Sequence, residues 1–207
     1  MSKRRSLLLM TALTIVAAAS LFSVSTTNAA DVIKLVEQME ASWPDWLQKP
    51  DQCPADLMPA HENSALDFSL ERCSAAPEQC LAACRTGTAG DCYAMAIVFQ
   101  KARRENDVIA QTIFQRACML GVVSGCTNRA AAKDMEQNNT CAVRTYGLAC
   151  DLNDPWACTM VGFHLIRGIG IEKNPARARQ ALAKSCRFGD GDDACRASKA
   201  LLKEIGN

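Results

Sequence analysis

Cysteine is the residue with most chemistry in this chain. Twelve cysteines all lie after residue 52, beside only two histidines, His61 and His164. Zinc ligation favours C-x-x-C pairs or clustered histidines, and the chain has neither. In an exported chain, a high and even count reads as a disulfide framework. The spacing is regular: Cys84/Cys92, Cys118/Cys126 and Cys150/Cys158 are each eight apart, and Cys186/Cys195 nine. First members are separated by 34, 32 and 36 residues. A local pair recurring at that period is the signature of a helical-pair repeat. Each bridge would tie the end of one helical hairpin to the start of the next, restraining the unfolded chain by about 2–3 kcal/mol. Cys73 and Cys80, with Pro77 between them, resemble a shortened joint. Cys53 and Cys141 are then left over, either as one long-range bridge or as two free thiols.

Acid–base and nucleophilic chemistry is poorly supplied. His164, between Phe163 and Leu165, reads either as a general base in a groove or, preferably, as a buried histidine with its partners satisfied. His61 sits in a Pro-rich loop. Asp192-Asp193, and Glu136 with Asp134, offer paired carboxylates, but charge clusters at turns are usually solvated. The chain has no S-x-x-K, S-D-N or K-T-G, no G-x-S-x-G and no H-E-x-x-H. No catalytic, cofactor-binding or metal-ligating residue is assigned, and no cofactor is expected.

The elements that must carry these residues are clearest from Ala149 to Cys195. Asp154-Pro155 is a helix start, an N-capping carboxylate followed by proline at the first helical position. Ala157, Val161 and Leu165 stripe that helix, and Gly162 permits close approach of a second one. Gly168 and Gly170 end it. Asn174-Pro175 starts a second helix striped by Ala178, Leu182 and Cys186, which Gly189 and Gly191 close. Neither helix buries its stripe alone, so the unit needs stacked neighbours.

Laid back along the chain, the same plan predicts helices from Cys92 to Arg103, Asp107 to Leu120, Cys126 to Met135 and Asn139 to Cys150. A capping helix runs from Asp193 to Ile205. Val32, Leu35, Val36 and Met39 form a short amphipathic helix near the start. Trp43-Pro44-Asp45-Trp46 follows as a loop, read as the cover of the first repeat in preference to a ligand platform. Residues 1–30 read as a signal peptide: Lys3, Arg4 and Arg5, an apolar run from Leu7 to Phe22, then Asn28-Ala29-Ala30. Removing them leaves 177 residues of net charge −2. That near-neutral balance, without a Lys/Arg run, argues against nucleic acid or an anionic membrane as partner. The divisions are therefore 1–30 signal peptide, 31–76 N-terminal cap with a short helix and Pro-rich loop, 77–190 repeats, and 191–207 C-terminal capping helix.

Val161-Gly162, Leu165, Gly168-x-Gly170-Ile171, Ala176 to Ala178 and the span Cys186 to Cys195 resemble the Sel1-like repeat family, relatives of tetratricopeptide repeats. Within it, the chain is similar to a cysteine-rich secreted subgroup, the Helicobacter cysteine-rich proteins. The resemblance covers Cys73 onward, about two-thirds of the chain. The first two repeats depart from it, with Arg103-Arg104-Glu105 and Glu136-Gln137-Asn138 in place of the G-x-G turn. It implies an all-α, right-handed α-solenoid of helix-turn-helix repeats stapled by a disulfide at each joint. It also implies an adaptor role, a module binding a protein or peptide of the cell envelope. Its alternative implication is a low-turnover β-lactamase or penicillin-binding protein. The signal peptide, read as cleaved in preference to an uncleaved membrane anchor, makes the chain periplasmic or secreted with no stable membrane insertion. Helix phase places Tyr93, Gln100, Asn128, His164 and Arg167 on the groove formed by the first helix of each hairpin.

Overall fold

The computed structural model describes residues 29–48, 51–62, 67–103 and 107–206. The signal peptide assigned to 1–30 lies outside them except for Ala29 and Ala30. All regular structure among the described residues is helical, and no described helix is long and apolar enough to cross a membrane. In order, α1 spans Ala29–Ala41, α2 Leu70–Ala75, α3 Pro77–Arg85, α4 Ala89–Ala102, α5 Val108–Met119, α6 Val123–Met135, α7 Asn139–Asp151, α8 Pro155–Arg167, α9 Pro175–Lys184 and α10 Asp193–Glu204, with one 3-10 turn at Pro54–Asp56.

The start signals act as the residue types dictate. Asp154 accepts from the N–H of Ala157, Asn174 from Arg177, Asn138 from Cys141, and Asp107 from both Ile109 and Ala110. Each satisfies a backbone donor that the first helical turn leaves without a partner. The stripes then bury. Ala157, Leu165, Ala178 and Leu182 are inaccessible or nearly so. A Cβ on Gly162 would lie 2.4 Å from Leu182 Cδ2, so glycine there lets α8 and α9 pack closely. From α3 onward, successive helices pack on one another, and α10 folds back over both α8 and α9. α1 lies on α4 and α5, and α2 on α4.

The joints share one backbone device. Three residues after the first cysteine of each pair stands a residue of positive φ: Gly87, Gly121, Asn153 and Gly189. Its N–H donates back to that cysteine's carbonyl. In the first three joints the next N–H reaches the carbonyl preceding the cysteine, as from Thr88 to Ala83 and from Val122 to Ala117. This left-handed C-terminal cap reverses the chain within a few residues. The second cysteine then enters the first turn of the following helix. All four repeat bridges form, Cys84–Cys92, Cys118–Cys126, Cys150–Cys158 and Cys186–Cys195, with Cα–Cα distances of 4.4–4.6 Å. The joint between α7 and α8 shows the packing best. Cys150 and Cys158 are buried there in one cluster with Ala149, Ala157 and Tyr146. Cys73–Cys80 also joins α2 to α3, but without the left-handed cap: Ala76 between the helices has φ −137°.

One alternative left open is decided and two expectations change. Cys53 and Cys141 are bridged and not free thiols. The bridge fastens the 3-10 turn across the start of α7, where Ala55 N also donates to Thr145 Oγ1 at 3.2 Å. Cys186 lies beyond α9, because the helix tightens and ends when Ser185 N bonds the carbonyl of Leu182 at 3.2 Å. The irregular N-terminal stretch contains α2, started by Ser69, which accepts from Arg72 N. Trp43 and Trp46 both pack on the N-terminal core. Trp43 Nε1 donates to Leu47 O, and the Arg116 guanidinium lies 5.1 Å from the Trp46 ring centre.

Candidate functional site

A cleft of about 320 Å³ opens where α4, α6 and α8, the first helices of three successive hairpins, come side by side. Tyr93 contributes from α4, while Ser124, Thr127, Asn128 and Ala131 line the α6 wall. The start of α8 adds Asp154, Trp156 and Met160, and Tyr146 of α7 completes the lining. The α8 cap therefore does two jobs. Asp154 Oδ1 accepts from Ala157 N at 2.8 Å, and Oδ2 accepts from Ser124 Oγ at 2.7 Å. Asn128 Nδ2 donates to Ser124 O at 2.8 Å and fixes that side of the wall.

The aromatic groups differ in exposure. Trp156 is 47% exposed, a large apolar surface at the rim. Tyr93 is half-buried, held edge-on by Phe68 at 5.2 Å and tilted against Phe114 at 6.0 Å. Burial pushes its hydroxyl above the ordinary phenol value; the Asp154 charge adds to this, outweighing the opposing hydrogen bonds of Ser124 and Asn128. Tyr146 is fully buried, yet its hydroxyl has no hydrogen-bond partner among the described residues. Burial, then the charge of Asp134, raises it far above the ordinary value, so it stays a neutral phenol.

Of the sequence-predicted groove residues, the cleft brings together Tyr93 and Asn128. His164 does not line it. It is fully buried, with Nδ1 2.8 Å from Ile169 O and Nε2 3.0 Å from Asp134 Oδ2, its ring 5.7 Å from that of Tyr146. The two contacts hold the imidazole in place, away from the cleft. Gln100 is half-buried on α4 and outside the lining. Arg167 is exposed at the other end of α8, paired with Glu204 at 2.5 Å. The repeat cysteines are not cleft residues either. Cys158 stands on α8 between Trp156 and Met160, but its side chain is fully buried and bonded to Cys150. It steadies the wall without being reachable from the cleft. Sequence reasoning missed Tyr146, Trp156 and Asp154 as wall residues. Trp156 carried a signal, an aromatic beside a capping proline and off the apolar stripe.

The carboxylate pairs have structural partners. Asp192 caps α10, Asp193 pairs with Arg196, Glu136 with Arg129 and Lys133, and Asp134 with His164. His61 is exposed. Among the described residues, Cys73, Cys80 and Asp91 bring three possible ligand atoms together. The two sulfurs are bonded to each other, however, and Asp91 is held by Arg72. The arrangement of the cleft suits binding: Ser124 is committed to a carboxylate, and the one nearby imidazole is turned away from it. Comparisons with protein-family models, curated proteins and solved structures find no match to this chain.

Proposed function

We propose that this chain is an exported α-solenoid of Sel1-like repeats, right-handed and stapled at its joints, that acts as a non-catalytic interaction module in the cell envelope. The cleft between α4, α6 and α8 carries the reading: exposed Trp156, half-buried Tyr93 and polar Asn128 converge there from successive hairpins. Its volume lies at the small end for ligand sites. It suits one or two side chains of an extended peptide. The framework supports the location, because six disulfides belong to an oxidising compartment, the periplasm or the cell exterior. Successive packing of helices supports the repeat architecture.

The test is an amide-resolved NMR titration of the oxidised, isotope-labelled protein with capped pentapeptides. Shifts confined to the cleft faces of α4, α6, α7 and α8 support the reading; their absence with every peptide sinks it. Turnover of a chromogenic β-lactam above a boiled control, retained through two chromatographic steps, would instead favour the hydrolase that the resemblance also implies.

A further inference from the structure

The cleft contains a polar group that the folded chain leaves unanswered. Tyr146 lines it, is fully buried, and has a hydroxyl without a hydrogen-bond partner among the described residues. A buried hydroxyl in that state forfeits its hydration and gains nothing in return, so the group is explained if a ligand atom completes it. Two further observations indicate which atom. Asp154 is the one ionised side chain among the described residues of the lining, which include no lysine or arginine. A second carboxylate, Asp134, also acts electrostatically on Tyr146. Three aromatic rings, Tyr93, Tyr146 and Trp156, complete the lining. Aromatic faces around a carboxylate attract a cation and repel an anion.

We propose that the cleft is a recognition site for the ammonium group of a lysine side chain, presented by an extended peptide. Lysine suits it better than arginine. The two Asp154 oxygens already accept from Ala157 N and Ser124 Oγ. They are therefore poorly disposed for the parallel fork that a guanidinium favours. An ammonium has three separate donors and can reach one Asp154 lone pair and the Tyr146 oxygen from different walls, with its methylene stem along Trp156. This rests on the peptide-binding reading above and adds to it the residue that is read.

The probes are capped Gly-Gly-Lys-Gly-Gly and the same peptide with its lysine Nε-acetylated, titrated by NMR into the oxidised protein. Acetylation removes the charge and keeps the stem, and it should weaken binding at least tenfold. Asp154→Asn keeps an N-capping side chain and should cause a similar loss with the unmodified peptide. Tyr146→Phe should weaken binding severalfold without lowering the unfolding midpoint, since no protein hydrogen bond is lost. Should Asp154→Asn fail to fold, Trp156→Leu at the exposed rim takes its place, with at least a fivefold loss expected. Binding of the two peptides within twofold of each other overturns the lysine assignment and leaves the peptide-binding reading standing. If neither peptide shifts the cleft resonances, the lysine assignment falls, and the peptide-binding reading is then decided by the other pentapeptides of the titration.

Discussion

Two glycines in helix interiors should respond in opposite directions to the same substitution. Gly147 in α7 has nothing within 4 Å of the position a Cβ would take. Gly147→Ala should therefore gain the helix-propensity difference alone, about 0.8–1 kcal/mol. At Gly162 in α8 the same methyl would stand 2.4 Å from Leu182 Cδ2 and 2.5 Å from Cγ, where carbons settle at about 3.5–4.0 Å. Leu182 is fully buried, so the clash falls inside the core. Overpacking of this kind costs about 1–3 kcal/mol. Set against the propensity gain, Gly162→Ala should lose about 1 kcal/mol net, lowering the thermal midpoint by about 2–4 °C for a chain of this size. The assay is urea unfolding of the oxidised protein for both variants, Leu182→Ala, and the double mutant. Leu182→Ala alone should cost about 2–5 kcal/mol, and the double mutant should lose less than the sum by about 1 kcal/mol or more. Stabilisation by Gly162→Ala equal to that of Gly147→Ala, or strict additivity in the double mutant, would refute the claim that α8 and α9 meet at this glycine.

Three other perturbations test separate features. Replacing Cys53 and Cys141 by alanine opens a loop of sequence separation 88, against 8 for Cys84 and Cys92. On loop-closure entropy the losses should be about 4.5 and about 2.5 kcal/mol, an order that denaturant midpoints will check. Gln137 holds φ 63° in the turn after α6, so Gln137→Gly should relieve left-handed strain and stabilise by about 0.5–1 kcal/mol. Burial alone would raise the Glu136 carboxyl, but the Lys133 hydrogen bond and the Arg129 and Lys133 charges outweigh it and hold the group below its ordinary value of 4.5. A depressed carboxylate adds stability above that value and loses it as pH falls through the lower, folded one. Glu136→Gln should thus destabilise by on the order of 1 kcal/mol near neutrality, with the difference from the parent fading below about pH 4.5.

Where local chemistry determined the outcome, the sequence was readable. Asp154-Pro155 and Asn174-Pro175 placed the starts of α8 and α9 because capping is decided within three residues. The cysteine period located the joints for a similar reason, each bridge spanning one turn, as Cys150 and Cys158 do between α7 and α8. A finer local signal was read as a helix stop at Gly189 but not as a rule for every joint: glycine or asparagine three residues after the first cysteine, which supplies the left-handed cap. Partnerships across the fold were less accessible. The joining of Cys53 to Cys141 depends on a loop lying over α7, and no spacing encodes that. Helix phase put His164 on the groove but could not give its depth, where Ile169 O and Asp134 hold its two ring nitrogens. Tyr146 comes from a second helix, so a rule that built the groove from first helices alone had to miss it.

The order of the bridges along the chain bears on how the protein is made. Five of the six link cysteines that follow one another directly in sequence; the sixth encloses six other cysteines between Cys53 and Cys141. A chain oxidised as it emerges, N-terminus first, presents Cys53 before any correct partner exists. An oxidant that joins each new thiol to the last unpaired one would link Cys53 to Cys73, then Cys80 to Cys84 and Cys92 to Cys118. Three native joints would be lost to one early mistake, and the register would recover only at Cys150, whose partner Cys158 comes next. Production of the native protein therefore requires either that Cys53 stay reduced until Cys141 appears or that a thiol–disulfide isomerase later reshuffle the amino-terminal half.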